Sequence, residues 1–233
     1  MNTLAFIENG VEIRTSLVSE PPVDSVNLYI PEIANIASCL TQHSHMSLQI
    51  KAAPLSPSST HPRLHIISST LTTSRTRQGN QGTSTKTPYI APCTNTYDTA
   101  PSGQAGSPVL SVSRNAPRET ICGADGRQTV IVTALERHPY SCQSFTPMGR
   151  KADVAFIVVV ADGDESGMKP DLTTVEAFTV PGDTGVCYDA GLWHAPMAVI
   201  GEVCQAMNSA NDRQPTSRSS SLRTESQKTI VRL

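Results

Sequence analysis

Between about Gly79 and Val203, short apolar runs alternate with Gly and Pro punctuation, as in QTVIVTALERH, VAFIVVVADGD, TVEAFTVPGDTG and HAPMAVI. Runs of this length, rich in Val, Ile and Phe and closed by turn residues, are strand signals, and their close spacing predicts a sandwich or barrel. The longest, Val154 to Ala161, has the length of a core strand and falls well short of the roughly 18 apolar residues a spanning helix needs. Helical patterning is sparser. In VNLYIPEIANIASCLTQ, Ile30, Ile33, Ala34, Ala37 and Leu40 recur at helical spacing around Pro31, which predicts a helix lying outside the β domain. LTTVEAF, with Leu172 and Val175 on one face, predicts a second, short one.

Two zones lack such periodicity. PLSPSSTHPRLHIISSTLTTSRTR, from Pro54 to Arg77, and NSANDRQPTSRSSSLRTESQK, from Asn208, are dominated by Ser, Thr and Arg. The chain therefore divides into an N-terminal segment over 1–78, partly helical and then irregular, a β domain over 79–203, and a disordered tail over 204–233.

Chemistry concentrates in LERHPYSCQSFTPMG, Leu135 to Gly149. On a strand, Glu136 and His138 project to one face while Arg137 points the other way. Pro139 ends that strand, and Gln143 returns on the next toward the same interior. One polar group inside a β domain is costly unless partnered, so three together indicate a site.

Charge narrows the partner. Charged residues make up 16% of the chain and the net charge is -2, so no electrostatic case exists for nucleic acid or an anionic membrane, and a small molecule is expected. The start, MNTLAFIENGVEIRTS, has no basic segment followed by an apolar core, so a cytoplasmic location is expected rather than secretion. The six cysteines form no C-x-x-C pair, which argues against a zinc ribbon and for plain thiols.

The spacing Glu136-x-His138-x4-Gln143-x5-Gly149 resembles the first cupin motif, and Asp189-x-Gly191-x-x-His194, within GVCYDAGLWH, resembles the second. Glu136, Gln143 and Asp189 stand where a His, a Glu and a Pro would be; His138 and His194 keep their identity. Taken with GNQGTSTK, YDTAPSGQAGSPVLSVSRNAPRE and KPDLTTVEAF, these segments resemble the ureidoglycolate lyase family, most of all its fungal members. The resemblance implies a mainly β, cupin-like (jelly-roll) barrel, incomplete because the Ser/Thr-rich zones replace family strands at both ends.

It also implies cleavage of ureidoglycolate to glyoxylate and urea in allantoin and purine breakdown. No cofactor and no metal are needed for that reaction, and a homodimer is expected. His138 and His194 are then the catalytic acid and base, with Glu136, Gln143 and Tyr188 as substrate contacts and Lys86 and Arg114 as holders of the substrate carboxylate. Two other readings stay open at this point: a non-catalytic remnant of the fold, and a metal-dependent cupin enzyme using two imidazoles and a carboxylate.

Overall fold

The computed structural model describes residues 11–15, 26–31, 45–118, 120–122, 128–132, 134–149, 153–212 and 229–232. Two sheets carry the site. The first is built from β1 (Ala52–Pro54), β4 (Ala134–Arg137), β6 (Val154–Ala161), β7 (Glu176–Pro181), β9 (Trp193–His194), β10 (Ala198–Val199) and β12 (Thr229–Arg232). Its order is β12-β4-β9-β6-β7-β1, with β10 also pairing β6. The second holds β2 (Leu64–Ile67), β3 (Ser107–Asn115), β5 (Gln143–Met148), β8 (Gly185–Tyr188) and β11 (Cys204–Asp212), in the order β2-β8-β5-β11-β3. Pairing is antiparallel except between β7 and β1. The fold is thus mainly β and consistent with the cupin-like expectation, and no closed barrel forms among the described residues.

The unbroken apolar text of β6 has a direct cause. Ile157, Val159 and Ala161 enter one core with Val130, Val132, Leu135 and Trp193, on the side where Gln128–Val132 pairs with Val11–Thr15 and Thr120–Cys122. Phe156, Val158 and Val160 enter the other core, against Leu64, Val186 and Tyr188 of the second sheet. A strand buried on both faces has no solvent side to alternate toward, so it reads as a continuous hydrophobic run. Each of the Val, Ile, Leu and Phe side chains among them contributes on the order of 1.5–3 kcal/mol on full burial.

Several boundaries differ from the sequence expectation. Val26–Pro31, the start of the expected N-terminal helix, is a strand paired with His45–Ile50; Val26, Leu28 and Ile30 alternate with period two, and that pattern prevails. The rest of the expected helix, 32–42, lies outside the described residues. LTTVEAF holds only a 3-10 turn at Leu172–Thr174, with the Asp171 side chain accepting from the Thr173 N–H, before β7 begins at Glu176.

The zones read as irregular also contribute strands. β1 and β2 fall before residue 79, and β2 carries the fully buried Leu64. β11 occupies the start of the expected tail, with small residues, Cys204 and Ala206, buried while Gln205 and Met207 face out. Such a strand alternates correctly but has too little apolar bulk to stand out in composition. β12 pairs β4 near the C-terminus, and 213–228 lie outside the described residues.

The double burial of β6 yields a stability test. Replacing Phe156, 1% exposed, with Ala removes its ring from the inter-sheet core and is expected to cost about 3–5 kcal/mol in urea unfolding.

Candidate functional site

Register alone sets the site's position. Val160 of β6 pairs with His194 of β9, and His194 pairs with Glu136 of β4, so these three side chains line one row of the first sheet. Val160 faces the inter-sheet core, hence Glu136 and His194 do too. Their neighbours Leu135 and Trp193 face the opposite core, and the Arg137 guanidinium lies 5.2 Å over the Trp193 ring. On the second sheet Gln143 of β5 pairs with Tyr188 of β8. The turn through Pro139 and Tyr140 carries the chain from one sheet to the other, so Glu136 and Gln143 approach the same space from opposite walls.

The groups meet closely. His194 Nε2 lies 3.1 Å from Gln143 Oε1 and 3.8 Å from Glu136 Oε1. The same Glu136 oxygen is 4.0 Å from His138 Nε2. Tyr188 stacks on the His194 ring at 4.1 Å between centroids and 8° between planes, and the two imidazoles are 5.6 Å apart. Burial is deep: Glu136 is 5% exposed, Gln143 7% and His194 1%.

The hydrogen bonds constrain protonation. The Leu192 carbonyl, 2.9 Å from His194 Nδ1, can only accept, so Nδ1 carries a proton. With Gln143 Oε1 turned toward the ring, Nε2 must also donate, and His194 is then an imidazolium balanced by Glu136. With the amide reversed, its NH₂ donates to a neutral Nε2. The amide orientation decides between the two.

Glu136, His138 and His194 each offer one ligand atom, and these atoms all lie within 4.8 Å of one another. The His194 Nδ1 bond to a backbone carbonyl is the orientation a ligating imidazole commonly has, with Nε2 directed inward. Two imidazoles and a carboxylate suit a divalent transition metal, so this donor set fits a cation.

Of the sequence-derived site residues, Glu136, His138, Gln143, Tyr188 and His194 come together, while Lys86 and Arg114 do not. Lys86 is exposed on Ser84–Lys86, which among the described residues pairs only with Arg77–Gly79; Arg114 is exposed on β3, an edge strand among the same residues. Sequence reasoning missed a second polar group beside the cluster: His61, Arg63 and His65 with Asp162 and Asp189. The signal was the alternation of His61, Arg63 and His65 in HPRLHI, hidden by the Ser/Thr-rich text around it.

Four cysteines among the described residues are free thiols, as expected. Cys142 and Cys187 precede Gln143 and Tyr188 in the chain. Contact between the two thiols draws Cys142 down to about 6 and pushes Cys187 up.

Glu136, His138, Gln143 and His194 thus cluster between the two sheets of a cupin-like β fold. The family model described as Ureidoglycolate lyase matches residues 47–225, and the chain belongs to that family. The ureidoglycolate lyase of Saccharomyces cerevisiae is 54% identical over 72 residues, 30% of this chain and 36% of that protein. That of Schizosaccharomyces pombe is 46% identical over 72 residues, 30% of this chain and 37% of its own. The Salmonella newport protein is 46% identical over 68 residues, 29% and 39%. The matched stretch thus spans little more than a third of each relative. No helix among the described residues is long and apolar enough to cross a membrane.

Tyr188 supplies a pH test. Burial, reinforced by the Glu136 charge, raises its phenol above the ordinary value of 10.0. The folded state therefore favours the neutral phenol. Its contribution is full below pH 10.0 and is lost as pH rises further. Unfolding free energy is expected to fall with increasing pH above that point, and the slope to be shallower in Tyr188→Phe.

Proposed function

We propose that this chain cleaves ureidoglycolate to glyoxylate and urea, as a cytoplasmic, dimeric enzyme of allantoin and purine breakdown whose catalytic residues are His138 and His194. The observation that carries this reading is the single Glu136 oxygen lying 3.8 Å from one imidazole and 4.0 Å from the other.

The substrate is a carbinolamide bearing a carboxylate. As its hydroxyl loses a proton, the carbon–oxygen bond becomes a carbonyl, the carbon–nitrogen bond breaks, and the leaving nitrogen takes up a proton. That requires one base and one acid of comparable strength near neutral pH, the range in which imidazole works. Two imidazoliums this close would repel, whereas one beside a carboxylate is stabilised, so the pair rests with one proton on one ring. With Gln143 Oε1 turned toward the ring, both nitrogens of His194 donate, and His194 is the acid in this reading and His138 the base. Glu136 holds the charge balance. Gln143 offers both a donor and an acceptor to the ureido amide, and Tyr188, kept neutral, offers a donor.

For the substrate carboxylate the family resemblance supplies Lys86 and Arg114. Replacing either with Met is expected to raise KM if it holds the carboxylate and to change neither kinetic constant if it is a solvated surface charge.

The donor set also supports the metal-dependent reading. A divalent cation on Glu136, His138 and His194 would supply Lewis-acid polarisation of a substrate oxygen. Elemental analysis of the purified protein separates the two readings: stoichiometric metal, lost together with activity on chelation, favours the second, and activity in metal-free protein favours the first.

Glyoxylate release from ureidoglycolate above the spontaneous rate is the primary test, and its absence from cooperatively folded, metal-replete protein overturns the proposal. His138→Asn and His194→Asn are each expected to lower turnover by a factor on the order of 10² or more. The double variant should lose little beyond either single one, because the two groups serve one bond-breaking event. Near-normal turnover in His138→Asn would return the cluster to a structural hydrogen-bond network.

A further inference from the structure

We infer that Arg63 and His65 are positioning residues for His194, acting by clamping the Asp189–Leu192 turn whose last carbonyl fixes the imidazole. The catalytic consequence rests on the lyase reading above; the effect on the ring does not.

The turn is held at every residue. Asp189 N–H donates to the Arg63 carbonyl at 3.0 Å, and the Asp189 carboxylate lies 2.7 Å from His65 Nε2. Arg63 Nη2 donates to the Ala190 carbonyl at 2.6 Å. Gly191 N–H donates to the His138 carbonyl at 2.8 Å, which ties the turn to the other catalytic residue. Leu192 N–H closes the turn onto Asp189 O at 3.1 Å, and the Leu192 carbonyl then meets His194 Nδ1 at 2.9 Å. Gly191 has φ +80, and a Cβ there would stand 3.5 Å from Arg63 Nη2, so the guanidinium packs on the glycine's bare face.

The clamp also has an electrostatic partner beside the first sheet. Arg63 Nη1 lies 3.9 Å from Asp162, and His61 Nε2 3.5 Å from the same carboxylate. Asp162 immediately follows β6, whose Ala161 and Val160 pair with Trp193 and His194. Arg63 therefore spans the turn before His194 and the strand beside it. The guanidinium hydrogen-bonds the turn through Nη2 and pairs electrostatically with the Asp162 carboxylate through Nη1, a two-sided reach that the single ammonium of lysine lacks. Asp189 gains a reason as well: at the motif position where a proline would stand, its carboxylate takes the bond from His65.

None of these side chains is placed at the reacting atoms. Their effect passes through the orientation of one ring, and a misplacement of about 1 Å can cost on the order of 10²-fold in rate. The test uses the full chain and two pairs of variants, Arg63→Met with Arg63→Lys and His65→Leu with His65→Gln. Each pair is read by steady-state kinetics and by histidine-ring ¹⁵N NMR. Arg63→Met and His65→Leu are expected to lower kcat by about tenfold or more with KM changed less than about threefold. In both, the His194 Nδ1-bound proton should lose protection from exchange. Arg63→Lys and His65→Gln, which keep one donor, should recover part of both signals.

A folded Arg63→Met or His65→Leu with wild-type kcat and an unchanged His194 ring signal overturns the inference. Loss of kcat without change at the ring overturns it too. If one of these two fails to fold, the other pair carries the comparison. If the wild-type chain releases no glyoxylate, the lyase reading fails by itself, and the ring signal still decides whether the clamp fixes His194.

Discussion

A carboxylate buried between two sheets is the constraint that organises this molecule. Glu136 is 5% exposed, and an uncompensated charge at that depth costs several kcal/mol even after the surroundings relax. The compensation comes from both walls. His194, its strand neighbour, is 3.8 Å away on the same sheet, and Gln143 reaches His194 from the sheet opposite. Tyr188 then covers the His194 ring, stacked at 4.1 Å. Because the two halves of this network sit on different sheets, it is satisfied only when the sheets are in register. The polar cluster thereby specifies how the apolar layers dock, which area burial alone would leave loose.

Much of the site was legible because it depends on local periodicity. Glu136 lies in β4 and His138 one residue past its end, and a separation of two still brings the side chains within 4.0 Å. The cupin-like spacing of Gln143 and His194 to them rests on the same short turns. The strands in the family-like core, including doubly buried β6, were visible as apolar runs closed by Gly and Pro. Less visible was anything whose burial uses small or polar residues. β11 hides Cys204 and Ala206, too slight to mark a strand among Ser and Asn, and β2 sits inside the segment most enriched in Ser and Thr.

The expected N-terminal helix shows a different failure. VNLYI satisfies both a period of two and part of a period near 3.6, and only a partner decides between them. His45–Ile50 provides that partner through the full length of the strand. Lys86 and Arg114 illustrate a third limit. Sequence places a cation in a motif but not its side chain in space, and exposed strands are where long cations ordinarily lie.

The geometry bears on how such a site would reset after turnover. In the proposed elimination the substrate gives one proton to the base and takes one from the acid, so the enzyme ends with its proton count unchanged but moved to the other imidazole. A carboxylate favouring one ring strongly would trap the proton there and oppose the return. Glu136 does not: one oxygen lies at nearly the same distance from both Nε2 atoms, 3.8 Å and 4.0 Å. On His194 the Leu192 carbonyl holds a proton at Nδ1, and the orientation of the Gln143 amide sets whether Nε2 carries one as well. In the proposed cycle the carboxylate thus stays within reach of both rings wherever the proton rests, while the turn ending at Leu192 fixes the orientation of the His194 ring.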